Sequence, residues 1–322
     1  MMEGESRYKL FSGSSHPVLA SQMAQFLRIP LGKVKLETFP DEEIFVQILE
    51  NVRGRDVFVV QSIAVKPNFY LMELLIMIDA LKRASARSIV AVIPYFGYCR
   101  QDRKDQSRVP ITAKLVTNLL EKAGATRVLT MDLHTSQVQG FFDIPVDNLY
   151  ARVELVPAIQ DTVQDNLVVV SPDLGSIKLA RVFAADLGAG FAIVDKMRLN
   201  ADTVVPADLI GEVEGHNVLL VDDMCSTGGT MMMAAEVCRL AGAKKIYAVV
   251  THGLLIGGAI RKLEESSIEK LWISNTIPGS DELVHPKIET VSIASLLGKV
   301  VDRIMQDESI SSLFTTGELE KV

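Results

Sequence analysis

Several features that mark other classes of protein are scarce in this chain. Its 322 residues include one tryptophan and three cysteines, and the cysteines (Cys99, Cys225 and Cys238) form no Cys-x-x-Cys pair. This spacing argues against a disulfide framework and against a cysteine zinc site. The sequence therefore predicts a protein of a reducing compartment, the cytoplasm.

Basic charge, long apolar runs and the common nucleotide loops are missing as well. The formal net charge of −7 argues against a dedicated nucleic-acid surface, which is normally basic. The longest apolar stretch, around residues 246–260, is interrupted by Thr251 and His252 and is too short to span a bilayer. Neither Gly-x-x-x-x-Gly-Lys-Ser/Thr nor Gly-x-Gly-x-x-Gly occurs, so we expect any bound ATP to use a different phosphate cradle.

Apolar strand-like runs alternate with segments of helical period, which predicts an α/β fold with doubly wound parallel sheets. The predicted strands are 56–61, 88–94, 127–132, 167–171, 191–195, 218–222 and 245–251. The predicted helices are 69–84, 111–123, 176–187, 230–240 and 293–305. The strands are continuously apolar, as expected for sheets covered on both faces. Residues 199–211 lack a clear period and are expected to form an irregular, mobile excursion.

One sequence pattern recurs. Residues 123–134 and 241–252 each read as a helix end, an Ala-Gly-Ala turn, a strand and a terminal histidine, and residues 84–95 are a looser copy. The repeat predicts two similar domains: residues 1–149, joined by the C-terminal segment 303–322, and residues 150–302. In such sheets ligands bind beyond the carboxyl ends of the strands.

The most informative stretch is residues 218–230, Val-Leu-Leu-Val-Asp-Asp-Met-Cys-Ser-Thr-Gly-Gly-Thr. An apolar strand ends in Asp222 and Asp223, and a short turn leads into a helical run. Glycines and free N–H groups at the positive end of a helix favour a phosphate. The two carboxylates repel a phosphate and suit sugar hydroxyls or a metal ion. The stretch predicts a sugar-phosphate site, and the alternative is an ordinary capped strand-to-helix turn that binds nothing.

This stretch resembles the loop for 5-phosphoribosyl 1-diphosphate (PRPP) shared by type I phosphoribosyltransferases and ribose-phosphate pyrophosphokinases. Motifs resembling the second family follow in its order over nearly the whole chain: Phe-Ser-Gly-Ser-Ser-His (11–16), Val-Arg-Gly (52–54), Leu-Met-Glu-Leu-Leu-Ile-Met-Ile (71–78), Arg-Gln-Asp-Arg-Lys-Asp (100–105), Met-Asp-Leu-His (131–134), residues 140–150, Ser-Pro-Asp (171–173) and Thr-His-Gly (251–253). The resemblance implies a type I phosphoribosyltransferase-like fold in both domains. It also implies Mg²⁺-dependent transfer of the β,γ-diphosphoryl group of ATP to the 1-hydroxyl of ribose 5-phosphate, giving PRPP and AMP, by a homo-oligomer, a hexamer in the phosphate-regulated class.

The same resemblance assigns roles to individual residues. It implies that Lys196 and Arg198 are catalytic and that His134 and Asp173 hold the Mg²⁺ that accompanies ATP. The ribose 5-phosphate residues are Arg198, Asp222, Asp223, Ser226, Thr227, Gly228, Gly229 and Thr230. The ATP residues are Arg100 and Gln101, with Phe39, Asp41, Glu42 and Glu43 in a loop that the family takes from a neighbouring subunit. A regulatory phosphate or ADP site is implied at Arg53, Ser85, Ser309 and Ser311.

Three of the positions that depart from the family pattern lie in the two ligand loops. Pro40 and Glu42 stand where members usually have serine and glycine, and Ser226 stands where many have aspartate. These departures motivate one alternative, a catalytically silent subunit like the PRPP-synthetase-associated proteins. Another alternative is a phosphoribosyltransferase, which would share only the Asp-Asp and Thr-Gly-Gly-Thr loop and would not need the first half of the chain.

Overall fold

A computed structural model describes residues 7–163, 165–195, 198–200, 203–204 and 208–314, with the backbone alone at 198–200 and 203–204. The chain forms two compact units. The first contains the described residues up to Tyr150, with 276–279 and 292–314. The second contains residues 151–275 and 280–291. The chain thus leaves the first unit between Tyr150 and Ala151.

The strands and helices are numbered in chain order. The strands are β1 (Tyr8–Ser12), β2 (Val34–Thr38), β3 (Ile44–Ile48), β4 (Asp56–Val60), β5 (Ser88–Ile93), β6 (Arg127–Met131), β7 (Val146–Leu149), β8 (Leu167–Ser171), β9 (Gly190–Asp195), β10 (Arg198–Asn200), β11 (Thr203–Val204), β12 (Asp208–Ile210), β13 (Asn217–Cys225), β14 (Lys245–Gly253), β15 (Ile268–Ser274) and β16 (Ile288–Val291). The helices are α1 (Pro17–Leu27), α2 (Pro67–Arg83), α3 (Thr112–Ala123), α4 (Arg152–Gln160), α5 (Ile177–Leu187), α6 (Gly229–Leu240), α7 (Ala259–Glu265) and α8 (Ala294–Met305).

The predicted α/β architecture is confirmed. The sheet of the first unit has the order β1-β4-β5-β6-β7, with every strand parallel to its neighbour. The sheet of the second unit has the order β12-β9-β8-β13-β14-β15-β16, parallel except for the antiparallel edge strand β12. The seven predicted strands and five predicted helices are all present within three residues at each end. Runs such as Val57–Val60 are fully buried because helices cover both faces of the sheet.

In both sheets the strand order reverses at one position: strands that follow in sequence are added first on one side of a strand and then on the other. In the second unit, β9 lies on one side of β8 and β13 on the other. In the first unit, a parallel bridge joins Leu31 to Leu10 of β1, while β4 lies on the other side. This equates β1 with β8, β4 with β13 and β5 with β14. The repeat was therefore predicted in the wrong register: the structural counterpart of residues 241–252 is the looser copy, residues 84–95, because both supply the second strand beyond the reversal.

The end of the chain returns to the first unit earlier than residue 303. Helix α8 packs against α1, where Gly298 lies so close to Phe26 that a Cβ would come within 2.3 Å of the ring. Ser292 Oγ donates to Gln22 Oε1 at 2.9 Å, and Tyr8 Oη donates to Asp302 at 3.2 Å. The amphipathic α8 buries its apolar face on the first unit, which explains why residues 292–302 belong with it.

Where the structure describes residues 199–211, they contain short strands, and the predicted mobility of this excursion stays a prediction. Backbone pairing joins β10 to β11, and Leu209 of β12 packs on the core of the second unit while its strand extends the sheet beside β9. These strands are too short to produce a readable period. In the part of the chain that the structure describes, no helix combines the length and hydropathy needed to cross a bilayer.

Candidate functional site

The most site-like region of the second unit is the reversal between β8 and β13. Loops leaving the carboxyl ends of these two strands flank a crevice, and in doubly wound sheets ligands bind at this position. The loop after β8 carries Asp173 and leads into α5. The loop after β13 is residues 226–228, called here the sugar-phosphate loop, and it leads into α6.

An acidic pair lies at this edge. Asp222 and Asp223 fall inside β13 rather than after it, because pairing with β14 continues to Cys225. Ser176, at the start of α5, donates its hydroxyl to Asp222 Oδ1, and the Asp223 N–H donates to the same oxygen at 2.9 Å. Burial, then the charge of Asp223, raise the pKa of Asp222 to about 8, and the Ser176 hydrogen bond opposes them. Asp222 thus lies partly buried beside a second carboxylate, an arrangement that hydroxyl donors or a cation would stabilise.

The sugar-phosphate loop offers unpaired donors. Gly228 has φ +75° and is the N-cap of α6, so no side chain caps this helix. The Gly228 N–H points to the Cys225 sulfur. None of the described residues accepts a hydrogen bond from the N–H of Ser226, Thr227, Gly229 or Thr230. The turn is therefore not an ordinary capped turn, and its free N–H groups form an anion cradle.

Asp173 belongs to the same electrostatic cluster. It is half-buried, its Oδ1 accepts from the Gly175 N–H at 2.9 Å, and its charge contributes to the raised pKa of Asp222. His134 lies in the first unit, exposed in the loop after β6. The described residues contain no group of three or more His, Cys, Asp and Glu side chains that could hold a metal. Mg²⁺ often uses one or two carboxylates and completes its shell with water and phosphate, so the crowded carboxylates around Asp173 fit it.

The predicted ATP residues that follow β5, Arg100 and Gln101, lie in a loop held by backbone hydrogen bonds. The Gln101 N–H donates to Tyr98 O at 3.0 Å, and Gln101 O accepts from the Ala113 N–H at 3.1 Å. Thr112 donates its hydroxyl to Gln101 Oε1, while the Arg100 side chain is exposed. The next residue, Asp102, is buried and accepts from Gln137 at 2.7 Å, which anchors the loop.

The other ATP residues form the tip of the β2–β3 hairpin. The Phe39 N–H donates to Glu43 O at 2.8 Å, and the Glu42 N–H donates to Phe39 O at 2.9 Å. The Phe39 ring is half exposed and packs edge-on against Phe45. Glu42 has φ +70°, a left-handed conformation that glycine adopts without strain. The tip thus presents an aromatic ring and three exposed carboxylates, Asp41, Glu42 and Glu43.

Comparison with known proteins decides the family. A model of the N-terminal domain of ribose phosphate pyrophosphokinase matches residues 8–124, and one of a phosphoribosyl synthetase-associated domain matches residues 196–315. The ribose-phosphate pyrophosphokinase of Wolinella succinogenes is 50% identical over 95% of this chain and 99% of its own length. That of Chlorobaculum tepidum is 49% identical, with 98% of both chains covered. This chain belongs to the ribose-phosphate pyrophosphokinase family.

A solved structure agrees with that assignment. The crystal structure of phosphoribosylpyrophosphate synthetase from Mycobacterium smegmatis is 40% identical and aligns with a TM-score of 0.89 over 94% of this chain and all of that chain. The match spans both units, so the predicted fold class, two doubly wound sheets of the kind this family has, is confirmed.

The regulatory residues implied by the family resemblance form two pairs within the first unit. The Gly54 N–H, next to Arg53, donates to Ser85 O at 2.9 Å, and Ser85 has φ +65°. Ser309 Oγ and Ser311 Oγ are 2.7 Å apart, and Arg303 donates to Ser309 O at 2.5 Å. Among the described residues no hydrogen bond joins one pair to the other. The regulatory site stays a prediction.

The structure does not describe the side chain of either predicted catalytic cation. Lys196 lies outside the described residues, and Arg198 is described only as the first backbone position of β10, opposite Val204. Sequence reasoning also missed one contact. Ser176 carries no motif signal of its own, and its part in the site follows only from the hydrogen bond to Asp222 across the reversal point.

Proposed function

We propose that this chain catalyses the Mg²⁺-dependent transfer of the β,γ-diphosphoryl group of ATP to the 1-hydroxyl of ribose 5-phosphate, giving PRPP and AMP for nucleotide biosynthesis. The observation that carries the proposal is the pairing, at one crevice of the second unit, of free loop N–H groups with the Asp222–Asp223 acids. Such a site suits a molecule with a phosphate at one end and hydroxyls at the other.

Each part of the site has a role in binding. The 5-phosphate accepts hydrogen bonds from the loop N–H groups and from the hydroxyls of Ser226, Thr227 and Thr230, at the positive end of α6. The ribose hydroxyls donate to Asp222 and Asp223, which favours the ionised carboxylates and lowers the raised pKa of Asp222. The sugar held at both ends leaves its 1-hydroxyl oriented for attack.

The nucleotide and the transferred group use the remaining residues. Arg100 and Gln101 bind ATP. The hairpin tip of a neighbouring subunit contributes Phe39 and its acids to the adenine site, so the enzyme acts as a homo-oligomer. We propose that this oligomer is a hexamer. Lys196 and Arg198 stabilise the charge that develops on the transferring phosphoryl oxygens. Mg²⁺, bound by His134 and Asp173, would neutralise phosphate charge. We propose that the enzyme acts in the cytoplasm.

A stoichiometric assay tests the proposal. Purified full-length protein is incubated with ATP, ribose 5-phosphate, Mg²⁺ and phosphate, and AMP and PRPP are quantified together. We expect equal amounts of both, dependent on the sugar phosphate, and a loss of roughly 10²-fold or more in turnover for Lys196→Ala with ribose 5-phosphate binding retained. ADP without PRPP would overturn the mechanism in favour of an ordinary kinase.

The match of residues 196–315 to a phosphoribosyl synthetase-associated domain keeps one second candidate, a silent regulatory subunit. The same assay separates the two functions. No product from the pure protein, together with altered activity of a partner synthetase on mixing, would favour the regulatory subunit. Ser226→Asp would then be the first change to test for recovered activity.

A further inference from the structure

One segment that no motif singled out runs beside the sugar-phosphate loop. After β14, the Leu255 N–H donates to Cys225 O at 3.0 Å, and the Ile256 N–H donates to Ser226 O at 3.0 Å. Lys262 Nζ, from α7, donates to Thr227 O at 2.9 Å. Three consecutive carbonyls at the start of the loop are therefore satisfied by residues 255–262.

These hydrogen bonds fix the direction of the loop N–H groups. In a trans peptide the C=O of one residue and the N–H of the next point in opposite directions. The Cys225 and Ser226 carbonyls, held by Leu255 and Ile256, therefore turn the N–H groups of Ser226 and Thr227 away from that segment. Those are two of the N–H groups for which none of the described residues is an acceptor. The N–H groups of Ser226 and Thr227 therefore stay free to bind a ligand in the crevice. The Thr227 carbonyl, held by Lys262, fixes the next peptide, whose Gly228 N–H points to the Cys225 sulfur.

A tight turn and close packing keep residues 255–262 in this position. Gly257 and Gly258 have φ +60° and +80°, so the chain turns sharply before α7. Ala259 is fully buried, and a Cβ at Gly228 would lie 3.7 Å from its Cβ, so little space separates α7 from the loop. Close packing of this kind resists displacement of the loop.

The ammonium of Lys262 is available for the loop. Among the described residues no carboxylate forms an ion pair with Lys262, whereas its neighbour Arg261 pairs with Glu265 at 3.9 Å. Lys262 is half-buried, and a charged donor binds a carbonyl more strongly than a neutral one. Without it, the Thr227 carbonyl would be free to rotate toward the crevice, where its partial negative charge would oppose an anion.

We propose that the N–H groups of Leu255 and Ile256 position the sugar-phosphate loop and that Lys262 is a positioning residue for the bound phosphate, acting through the Thr227 carbonyl. The inference rests on the proposed function for the identity of the ligand, ribose 5-phosphate. The ordering of the loop by Lys262 is a property of the free protein and can be measured without any ligand.

The experiment compares full-length wild type with Lys262→Met, which keeps the apolar stem and removes the charge. Lys262→Arg is the conservative rescue, and Arg261→Met is a control that removes a neighbouring charge of the same helix. Amide hydrogen exchange of the free protein reports the order of the loop at Gly228 and Met232, whose N–H groups are hydrogen-bonded to the Cys225 sulfur and to Gly228 O. Calorimetric titration with ribose 5-phosphate and steady-state kinetics report the consequence.

For Lys262→Met we expect roughly tenfold faster exchange in the loop and a roughly tenfold higher Kd and KM for ribose 5-phosphate, with KM for ATP unchanged. Lys262→Arg should restore most of the affinity, and Arg261→Met should match wild type. Wild-type exchange in Lys262→Met would overturn the inference. If the wild type does not bind ribose 5-phosphate, the proposed function fails, and the exchange data still decide the positioning role.

Discussion

The two units share a strand order, but their reversal points differ. In the first unit the loops after β1 and β4 bind each other: the Ser15 N–H donates to Gln61 Oε1 at 3.0 Å, and the Ser62 N–H donates to Ser15 Oγ at 2.8 Å. The buried Glu73 carboxylate accepts from the Ser14 N–H and from Gln61 Nε2, both at 2.7 Å. In the second unit the corresponding loop after β13 leaves the N–H groups of Ser226 and Thr227 without acceptors among the described residues.

The difference offers a physical reason why we propose the sugar-phosphate site at the reversal point of the second unit and not at that of the first. Glu73 acts as a built-in anion that satisfies the donors of the first crevice. A Cβ at Gly13 would lie 2.3 Å from Gln61 Oε1, so this crevice is also closely packed. The second crevice keeps free N–H donors and a partly buried carboxylate, Asp222, beside a second acid, features that suit a ligand site and that a structural loop avoids.

The largest effect on ligand binding should come from the acidic pair. Asp222→Asn removes a charged acceptor of the ribose hydroxyls, and we expect affinity for ribose 5-phosphate to fall about 10- to 100-fold. Asp208→Asn, an exposed acid of the same unit, is the matched control. Calorimetric titration measures both. Equal affinity in wild type and Asp222→Asn would show that the second crevice does not bind the sugar.

The same variant should show the opposite effect on stability. The pKa of Asp222 in the folded protein is raised to about 8, above its value in the unfolded chain. Ionisation therefore weakens folding progressively between about pH 4 and pH 8. Relative to wild type without ligand, Asp222→Asn should raise Tm little at pH 4.5 and most at pH 8 and above. A gain that is independent of pH would contradict a raised pKa.

In the first unit, the corresponding prediction concerns stability alone. Glu73→Ala leaves the donors of Ser14 and Gln61 without their acceptor and opens a buried gap, so the unfolding free energy of this unit should fall by about 2–5 kcal/mol. Glu73→Gln keeps an acceptor and should lose less. Urea denaturation followed by circular dichroism measures the change. An unchanged transition would mean that the first crevice is not held closed by Glu73.

A smaller effect is expected at Ser176, whose hydroxyl opposes the raised pKa of Asp222. Ser176→Ala should raise that pKa further and weaken ribose 5-phosphate binding about tenfold at pH 7, with recovery as the pH rises. Ser176→Thr keeps the hydroxyl as a control. Affinity measured from pH 6 to pH 9.5 distinguishes the two, and parallel profiles for wild type and Ser176→Ala would contradict the role.

The smallest effect should be found at the hairpin of the first unit, which offers exposed side chains in place of a crevice. Glu42 has φ +70°, so Glu42→Gly should relieve strain and stabilise the unit by about 0.5–1 kcal/mol. Glu43→Gly has no positive φ to relieve and should destabilise by a similar amount. Thermal denaturation measures both, and a lower Tm for Glu42→Gly would contradict the strain.

Much of the fold could be predicted from the sequence because the central strands are continuously apolar. The helices and central strands carry clear periods, and the sugar-phosphate loop combines acids, hydroxyls and glycines in one short stretch. Short edge strands such as β12 carry no period, and the return of α8 to the first unit depends on a distant partner, Phe26. The register of the repeat was wrong because Ala-Gly-Ala turns mark any helix–strand junction.

The contacts that tune the site could not be predicted from local sequence. Ser176 and Lys262 act on residues 46 and 35 positions away, and only the fold brings them to Asp222 and Thr227. Glu73 was part of a family motif, but its role in closing the first crevice follows from its burial among donors. The roles of Lys196, His134 and the regulatory residues stay predictions.

Amide hydrogen exchange with and without ribose 5-phosphate tests the central comparison most directly. The account predicts slower exchange on binding for residues 226–232 and no change for residues 12–16, where the N–H groups of Gly13, Ser14 and Ser15 already donate to Val60 O, Glu73 and Gln61. Protection of residues 12–16, or none at residues 226–232 at saturating sugar phosphate, would contradict the account.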